Sequence, residues 1–347
     1  MRRWITFLVT WMAVMGTSCP IAFAAQRELV VVNFGGTFGE NWRKLVIQPF
    51  AKENNVKVTE VVSVTFDTLA KLRAQKDNPQ IDVALMAEPG LVLAAKEGLI
   101  DPLDPAMLPV LPELIPQAKP AGLPYVLQNF NAMVLAYNTT KIPTAPISWR
   151  DLWNPAYKGH VVMPAMNACC GVATIALFAK MTGTDLNNVD PAFDLYKTLR
   201  PNVLTYYTSH DQITQMLLQG EAWISAWVSD LVATHKVNEN APIDMVYPKE
   251  GGVLFGNGPG VVHGSKNKDL AYKYINFLLQ PKQMKAFSEV SFTGPTNAKA
   301  GVAPDLAKYL VTLNGQINQS LNMNLDIVAK KTSEWTERFQ REILAGQ

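Results

Sequence analysis

Cysteine is nearly absent. The 347 residues hold three, and two of them, Cys169 and Cys170, are neighbours. No disulfide framework can be built from these, so the fold rests on its apolar core. The adjacent pair stands either as two reduced, packed thiols or as a strained vicinal bridge. Histidine is scarce as well: His160, His210, His235 and His263 show no metal-ligand spacing. After the N-terminal segment no apolar run reaches the ~18 residues that would span a bilayer. The glycine-rich stretch Gly35-Gly36-Thr37-Phe38-Gly39 fits neither Gly-x-x-x-x-Gly-Lys-Ser/Thr nor Gly-x-Gly-x-x-Gly, which disfavours a phosphate loop and a dinucleotide turn. No Gly-x-Ser-x-Gly elbow is present. Ser209-His210-Asp211 is no triad either, because consecutive side chains diverge and triads assemble from separated positions.

The first 24 residues read as a secretory signal peptide. Arg2 and Arg3 form a positive start, 5–15 is a short apolar core, and Ala22-Phe23-Ala24 is a small-x-small cleavage pattern. The arginine pair lacks the rest of a twin-arginine pattern. A lipoprotein signal through Cys19 is the alternative, and Gly16-Thr17-Ser18 lacks the usual upstream leucine. Of 31 Lys and Arg, two leave with this segment, so 29 cations face 29 acids. A mature chain without net charge is not built for nucleic acid or a membrane surface.

About 320 residues then remain, enough for two domains. Strands are expected at 29–34, 56–62 and 81–86, alternating with helices at 38–50, 66–76 and up to Lys96, with Gly98 as a C-terminal cap. In the first helix Thr37 and Glu40 have capping-box spacing, and Phe38, Trp42, Leu45, Val46 and Phe50 share one face. The proline-rich stretch 102–124 reads as a surface connection. A strand at 132–137 follows, then a second α/β set. It has strands at 160–163, 203–206, 222–227 and 243–247, and helices at 171–181 and from a Ser209/Gln212 capping pair to Gly220. A short strand at 261–263, helices at 269–279 and 281–290, and an amphipathic helix at 333–344 complete the chain. Alternating strands and helices imply mainly parallel sheets. Ligands bind beyond the carboxyl ends of such strands, so two facing sets would share one cleft.

Several longer stretches carry a family resemblance. They are SWRDLWNPAYKGHVVMP (148–164), LLQGEAWISAW (217–227), YPKEGGVLFGNGPGVV (247–262) and AYKYINFLLQPKQ (271–283). On these, over nearly the whole mature chain, the protein resembles periplasmic solute-binding proteins of ABC importers, the spermidine/putrescine-binding family above all. The resemblance implies an α/β fold of two lobes, the type II periplasmic-binding-protein fold, closing on a ligand at a hinge. It divides the chain into the signal peptide 1–24, lobe one (25–136 with 261–300) and lobe two (137–260 with 301–347). It implies a monomeric, non-enzymatic periplasmic protein without cofactor or metal, delivering a small solute to an inner-membrane permease.

The family's ligand-stacking aromatics fall here on Phe34, Trp227 and Phe255. Its acid two residues beyond Phe255 is replaced by Asn257, and Pro164-Ala165-Met166-Asn167-Ala168 lacks the acids expected after the strand ending at Met163. Glu88 is a new acid near the cleft, and Asp230 could meet an amine there or cap a helix. A neutral, zwitterionic or carboxylate-bearing solute is therefore expected, with a polyamine as the alternative. The Gly35, Gly36 and Thr37 turn would offer N–H groups to the ligand, or serve geometry alone. Asn167, Thr208 and Ser209 precede helices and would either cap them or face the cleft. Two minor readings remain: a thiol enzyme built on Cys169, and an iron site on Tyr206-Tyr207. Iron-binding relatives carry their tyrosine pair after a Gly-Glu such as Gly220-Glu221, and here the pair precedes it.

Overall fold

A computed structural model describes residues 26–345 apart from 121 and 123; the leader expected over 1–24 lies outside the described residues. β1 (Glu28–Asn33) pairs in parallel with β2 (Lys57–Val62) and, on its other side, with β3 (Val83–Ala87). Between β1 and β2 runs one helical rod, α1 (Gly36–Trp42) and α2 (Gln48–Asn54), joined by a π-helical turn at Arg43–Ile47. Of its expected apolar face Trp42, Val46 and Phe50 are buried, Phe38 and Leu45 are half-buried, and Ile47 is buried beside them.

The start of the rod corrects an expectation. α1 begins on Gly35 and Gly36 with no side-chain cap, so Thr37 and Glu40 form no capping box. The cause is close packing. A Cβ on Gly39 would lie 2.0 Å from the Phe34 carbonyl oxygen, and the Gly39 N–H already bonds the Gly35 carbonyl at 3.3 Å. The helical ladder has therefore begun before Thr37 could cap it.

α3 (Thr65–Ala74) and α4 (Glu88–Lys96) complete the first set, α4 ending just before Gly98 at φ 66°. The stretch 102–124 is not a mere surface connection. Its prolines start short 3-10 turns, while Leu108, Val110, Leu114 and Ala118 are buried. Asp104 N–H donates to the Tyr272 hydroxyl and Ile115 N–H to the Thr296 carbonyl, tying it down.

β4 (Asn129–Asn138) leads into the second set: β5 (Val161–Pro164), α5 (Gly171–Met181), α6 (Asp190–Leu199), β6 (Val203–Tyr207), α7 (His210–Gln219), β7 (Ile224–Val228), α8 (Ser229–Asn238) and β8 (Ile243–Val246). β5 runs parallel to both β6 and β7. The short strand expected at 261–263 proves to be the tail of a long one, β9 (Val253–Val261). Its glycines disguise it, yet packing requires them: a Cβ on Gly258 would sit 2.0 Å from the Val126 carbonyl oxygen. α9 (Lys268–Leu278), α10 (Pro281–Ser291), β10 (Gly294–Pro295) and α11 (Pro304–Ala307) follow. The last helix, α12 (Leu325–Phe339), starts earlier than expected because Asn324 caps it by accepting from the Asp326 and Ile327 N–H groups.

The strands form one sheet in the order β2-β1-β3-β9-β4-β7-β5-β6, with β8 and β10 on β4. β9 and β4 are antiparallel to their neighbours and carry the sheet from one parallel set to the other. The hand-over falls inside these strands, at Met133 of β4 and at Asn257 of β9. α12 touches both sets, through a Lys96–Asp326 ion pair on α4 and an Arg338–Asp190 pair on α6.

Candidate ligand-binding cleft

The register of β4 and β9 fixes where the two sets meet. β3 ends at Ala87, opposite Asn257, which in turn faces Asn129. β7 ends at Val228, opposite Met133, four residues further along β4. Because β9 and β4 intervene, the first set runs opposite to the second, and both carboxyl ends point at the same short strip. That strip is Asn129 and Asn131 of β4, paired with Asn257 and Phe255 of β9. Alternate and directly paired residues share a face of a sheet, so these four side chains lie on one side.

The strip is polar and incompletely satisfied. Asn257 Nδ2 donates to Asn129 Oδ1 at 3.0 Å, and Asn131 Nδ2 donates to Asp230 Oδ1 at 2.9 Å. Asn129 Nδ2 and Asn131 Oδ1 are buried and find no partner among the described residues. One free donor and one free acceptor thus sit two residues apart. Buried polar groups are rarely left unpaired, so this pair invites a ligand.

The second set supplies an acidic and a soft wall. Asp230, in the first turn of α8, has its carboxyl pushed above the usual aspartate range by burial, against the pull of Asn131 and His210. Trp227 is fully buried on β7. Its indole lies nearly parallel to His235, with centroids 6.1 Å apart, and its Nε1–H donates to His210 Nδ1 at 3.1 Å. An indole N–H only donates, so Nδ1 is the accepting nitrogen and the proton of the neutral ring sits on Nε2. Contact with Cys169 pulls the His210 pKa up, against desolvation. Trp227 opposes that rise, since an imidazolium would place two protons between the two nitrogens. The Cys169 thiol is held down at about 6, first by the Cys170 thiol and then by His210, against partial desolvation by its neighbours and the charge of Asp230.

The first set supplies Glu88 at the start of α4. It is buried, accepts from the Tyr125 hydroxyl at 3.2 Å, and is pushed above the usual range by desolvation. Phe34 is half-buried, edge-on to Phe38 at 5.3 Å. Gly35, Gly36 and Thr37 are exposed beyond it. A Cβ on Gly35 would lie 3.2 Å from Val62, beside which Val64 and Phe66 are more than half exposed.

Of the residues expected from sequence, Phe255, Asn257 and Asp230 come together at the strip, and Glu88 stands at its first-set end. Asn167 is exposed beyond β5. Ser209 Oγ accepts the Gln212 N–H at 3.2 Å and Gln212 Oε1 accepts the Thr208 N–H at 2.9 Å, so both residues are engaged in capping α7. Trp227 presents no exposed face; it reaches the cleft through His210. The tyrosine pair is core, Tyr207 donating to the Ala226 carbonyl and Tyr206 packing on Phe339. Sequence reasoning missed Asn129, Asn131 and His210. The asparagines could have been found as polar residues at alternating positions of an otherwise apolar strand.

The chain matches the description "Bacterial extracellular solute-binding protein" over residues 46–310. It is 32% identical over 249 residues to spermidine/putrescine-binding periplasmic protein 1 of Haemophilus influenzae, covering 68% of this chain and 67% of that one. It is 28% identical over 294 residues to the gamma-aminobutyric acid-binding protein of Pseudomonas aeruginosa, covering 80% of each. The crystal structure of an ABC transporter from Clostridium perfringens superposes with a TM-score of 0.80 at 24% identity, covering 91% of this chain and 99% of that one. The chain therefore belongs to the bacterial extracellular solute-binding protein family, and its fold is the two-lobe α/β fold of periplasmic binding proteins.

Proposed function

We propose that this chain is the periplasmic substrate-binding component of an ABC importer, and that it captures a small zwitterionic solute carrying an amino group. The observation that carries the choice of solute is the strip itself. Asp230 and the free Asn131 Oδ1 both accept, which suits an ammonium. The free Asn129 Nδ2 donates, which suits a carboxylate or another acceptor on the same molecule. Burial raises the Glu88 pKa against the hydrogen bond from Tyr125, which makes its charge costly. Closing the lobes over the solute makes contacts that the open state lacks, and this difference drives the hinge. The loaded protein is a monomer that docks on an inner-membrane permease, and capturing the solute makes and breaks no covalent bond.

A polyamine is the second reading, favoured by Glu88: ionised, it would hold a second ammonium at the opposite end of the strip from Asp230. The relatives named for spermidine and putrescine support it, and the relative named for gamma-aminobutyric acid supports the first. Calorimetric titration of the mature chain with gamma-aminobutyric acid, putrescine and propionate decides. Binding of gamma-aminobutyric acid with weak or no binding of putrescine supports the zwitterion. Putrescine alone supports the polyamine. Propionate binding while both amines fail overturns the amine site.

A further inference from the structure

The two adjacent cysteines have no part in solute capture; they stand beside His210 and Asp230 of the second set, and their surroundings differ sharply. Cys169 is exposed, while Cys170 is fully buried at the start of α5, with the two sulfurs 3.3 Å apart. His210 reaches Cys169 from α7, with Trp227 fixing which ring nitrogen carries the proton. We propose that Cys169–Cys170 is a thiol–disulfide exchange site: exposed Cys169 attacks small-molecule disulfides entering the cleft, and buried Cys170 resolves the adduct into a reversible vicinal disulfide.

The chemistry balances as follows. Cys169 thiolate attacks one sulfur of a small disulfide; the S–S bond breaks, a mixed disulfide forms on Cys169, and one small thiolate leaves and takes up a proton. Cys170 then gives up its proton and attacks Cys169 Sγ, expelling the second small thiol. Two protein thiols are oxidised to one disulfide, and one small disulfide is reduced to two thiols. The division of labour follows from the geometry. An incoming disulfide reaches only Cys169, and Cys170 already lies against the sulfur it must attack.

The groups facing the pair are few. His210 on α7 stabilises the Cys169 thiolate, whereas Asp230 on α8 opposes it. Tyr207 on β6 stands against Cys170, whose thiol burial holds protonated until an adduct forms. Adjacent residues are only about 3.8 Å apart at Cα, below the usual disulfide span. The product is therefore strained and readily reduced, as suits a switch rather than a structural bond.

The test uses the mature protein without added solute, so that its outcome is independent of the ligand assigned above. Iodoacetamide alkylation is followed against pH by mass spectrometry of the peptide holding both cysteines. The expected rate rises through a midpoint near 6 at Cys169, where the structure places its pKa. In Trp227→Phe, which keeps a ring but loses the N–H to His210, and in His210→Gln, the midpoint moves while the protein still melts cooperatively. A structural role for His210 would leave the profile unmoved. Oxidised glutathione is then added. The expected wild-type product is an internal disulfide free of glutathione and reversed by dithiothreitol, while Cys170→Ala accumulates the glutathione adduct on Cys169. An alkylation midpoint near the ~8.5 of an ordinary thiol, or a lasting glutathione adduct on the wild type, would overturn the proposal.

Discussion

Replacing Asp230 by asparagine separates binding from stability. The amide keeps the shape of the side chain and can still meet Asn131, which now lies 2.9 Å away, but it carries no charge. A hydrogen bond to a charged group contributes about 1.5–3 kcal/mol. Its loss weakens binding of an amine-bearing solute by roughly 10- to 150-fold. Stability should move the other way. Burial raises the Asp230 pKa in the folded protein above its unfolded value. Between those two values the folded state binds more protons than the unfolded chain. Stability therefore falls as pH rises through that window, and the deficit is complete above the folded pKa. Asparagine has no such deficit, so unliganded Asp230→Asn melts at the parent temperature or above it at neutral pH. Calorimetric titration reads the first effect and a thermal melt the second. Unchanged affinity together with a lower melting temperature would refute the reasoning, because Asp230 would then be a structural group.

Glu88→Gln should leave affinity for gamma-aminobutyric acid within about threefold of the parent, less than 1 kcal/mol; a calorimetric loss comparable to that of Asp230→Asn would show Glu88 to be ionised and in contact with the solute. Trp227→Ala, which empties a fully buried site, should cost about 3–5 kcal/mol in denaturant unfolding. A loss of affinity at unchanged stability would return Trp227 to a stacking role. Gly258→Ala should destabilise the crossing strand by about 1–3 kcal/mol or more, since its Cβ would meet the Val126 carbonyl at 2.0 Å; a native melt would show that this strand can shift.

The alternation of strands and helices in both halves was legible because each element carries its own period. Leu29 to Asn33 is a near-continuous apolar run, and the rod from Gly36 repeats its apolar face every three to four residues. β9 was not legible. Gly256, Gly258 and Gly260 imitate a loop by composition, and only the backbones crossing over them explain why side chains are excluded. The 102–124 stretch misled for the opposite reason: its prolines advertise turns, while Asp104 and Ile115 tie it to Tyr272 and Thr296, more than a hundred residues away, and its leucines are buried. In the cleft, Phe255 and Asn257 were found because a family motif runs through them, and Asp230 because an acid three residues after Trp227 falls at the end of the same strand. Asn129 and Asn131 were not, because their significance lies in the register with β9. Trp227 is expected to stack on the ligand and Ser209 either to cap α7 or to face the cleft; the indole N–H is used within the protein, on His210, and the Ser209 hydroxyl accepts the Gln212 N–H as a cap.

The most direct test of the account is a crystal structure of the mature protein grown with the solute that binds it best. The account predicts that solute over Asn129 and Asn131, its ammonium at Asp230 and its acceptor group at Asn129 Nδ2. Solute seated elsewhere, for example in the groove lined by Lys180, Asn187 and Met323, with the strip's asparagines untouched, would contradict it.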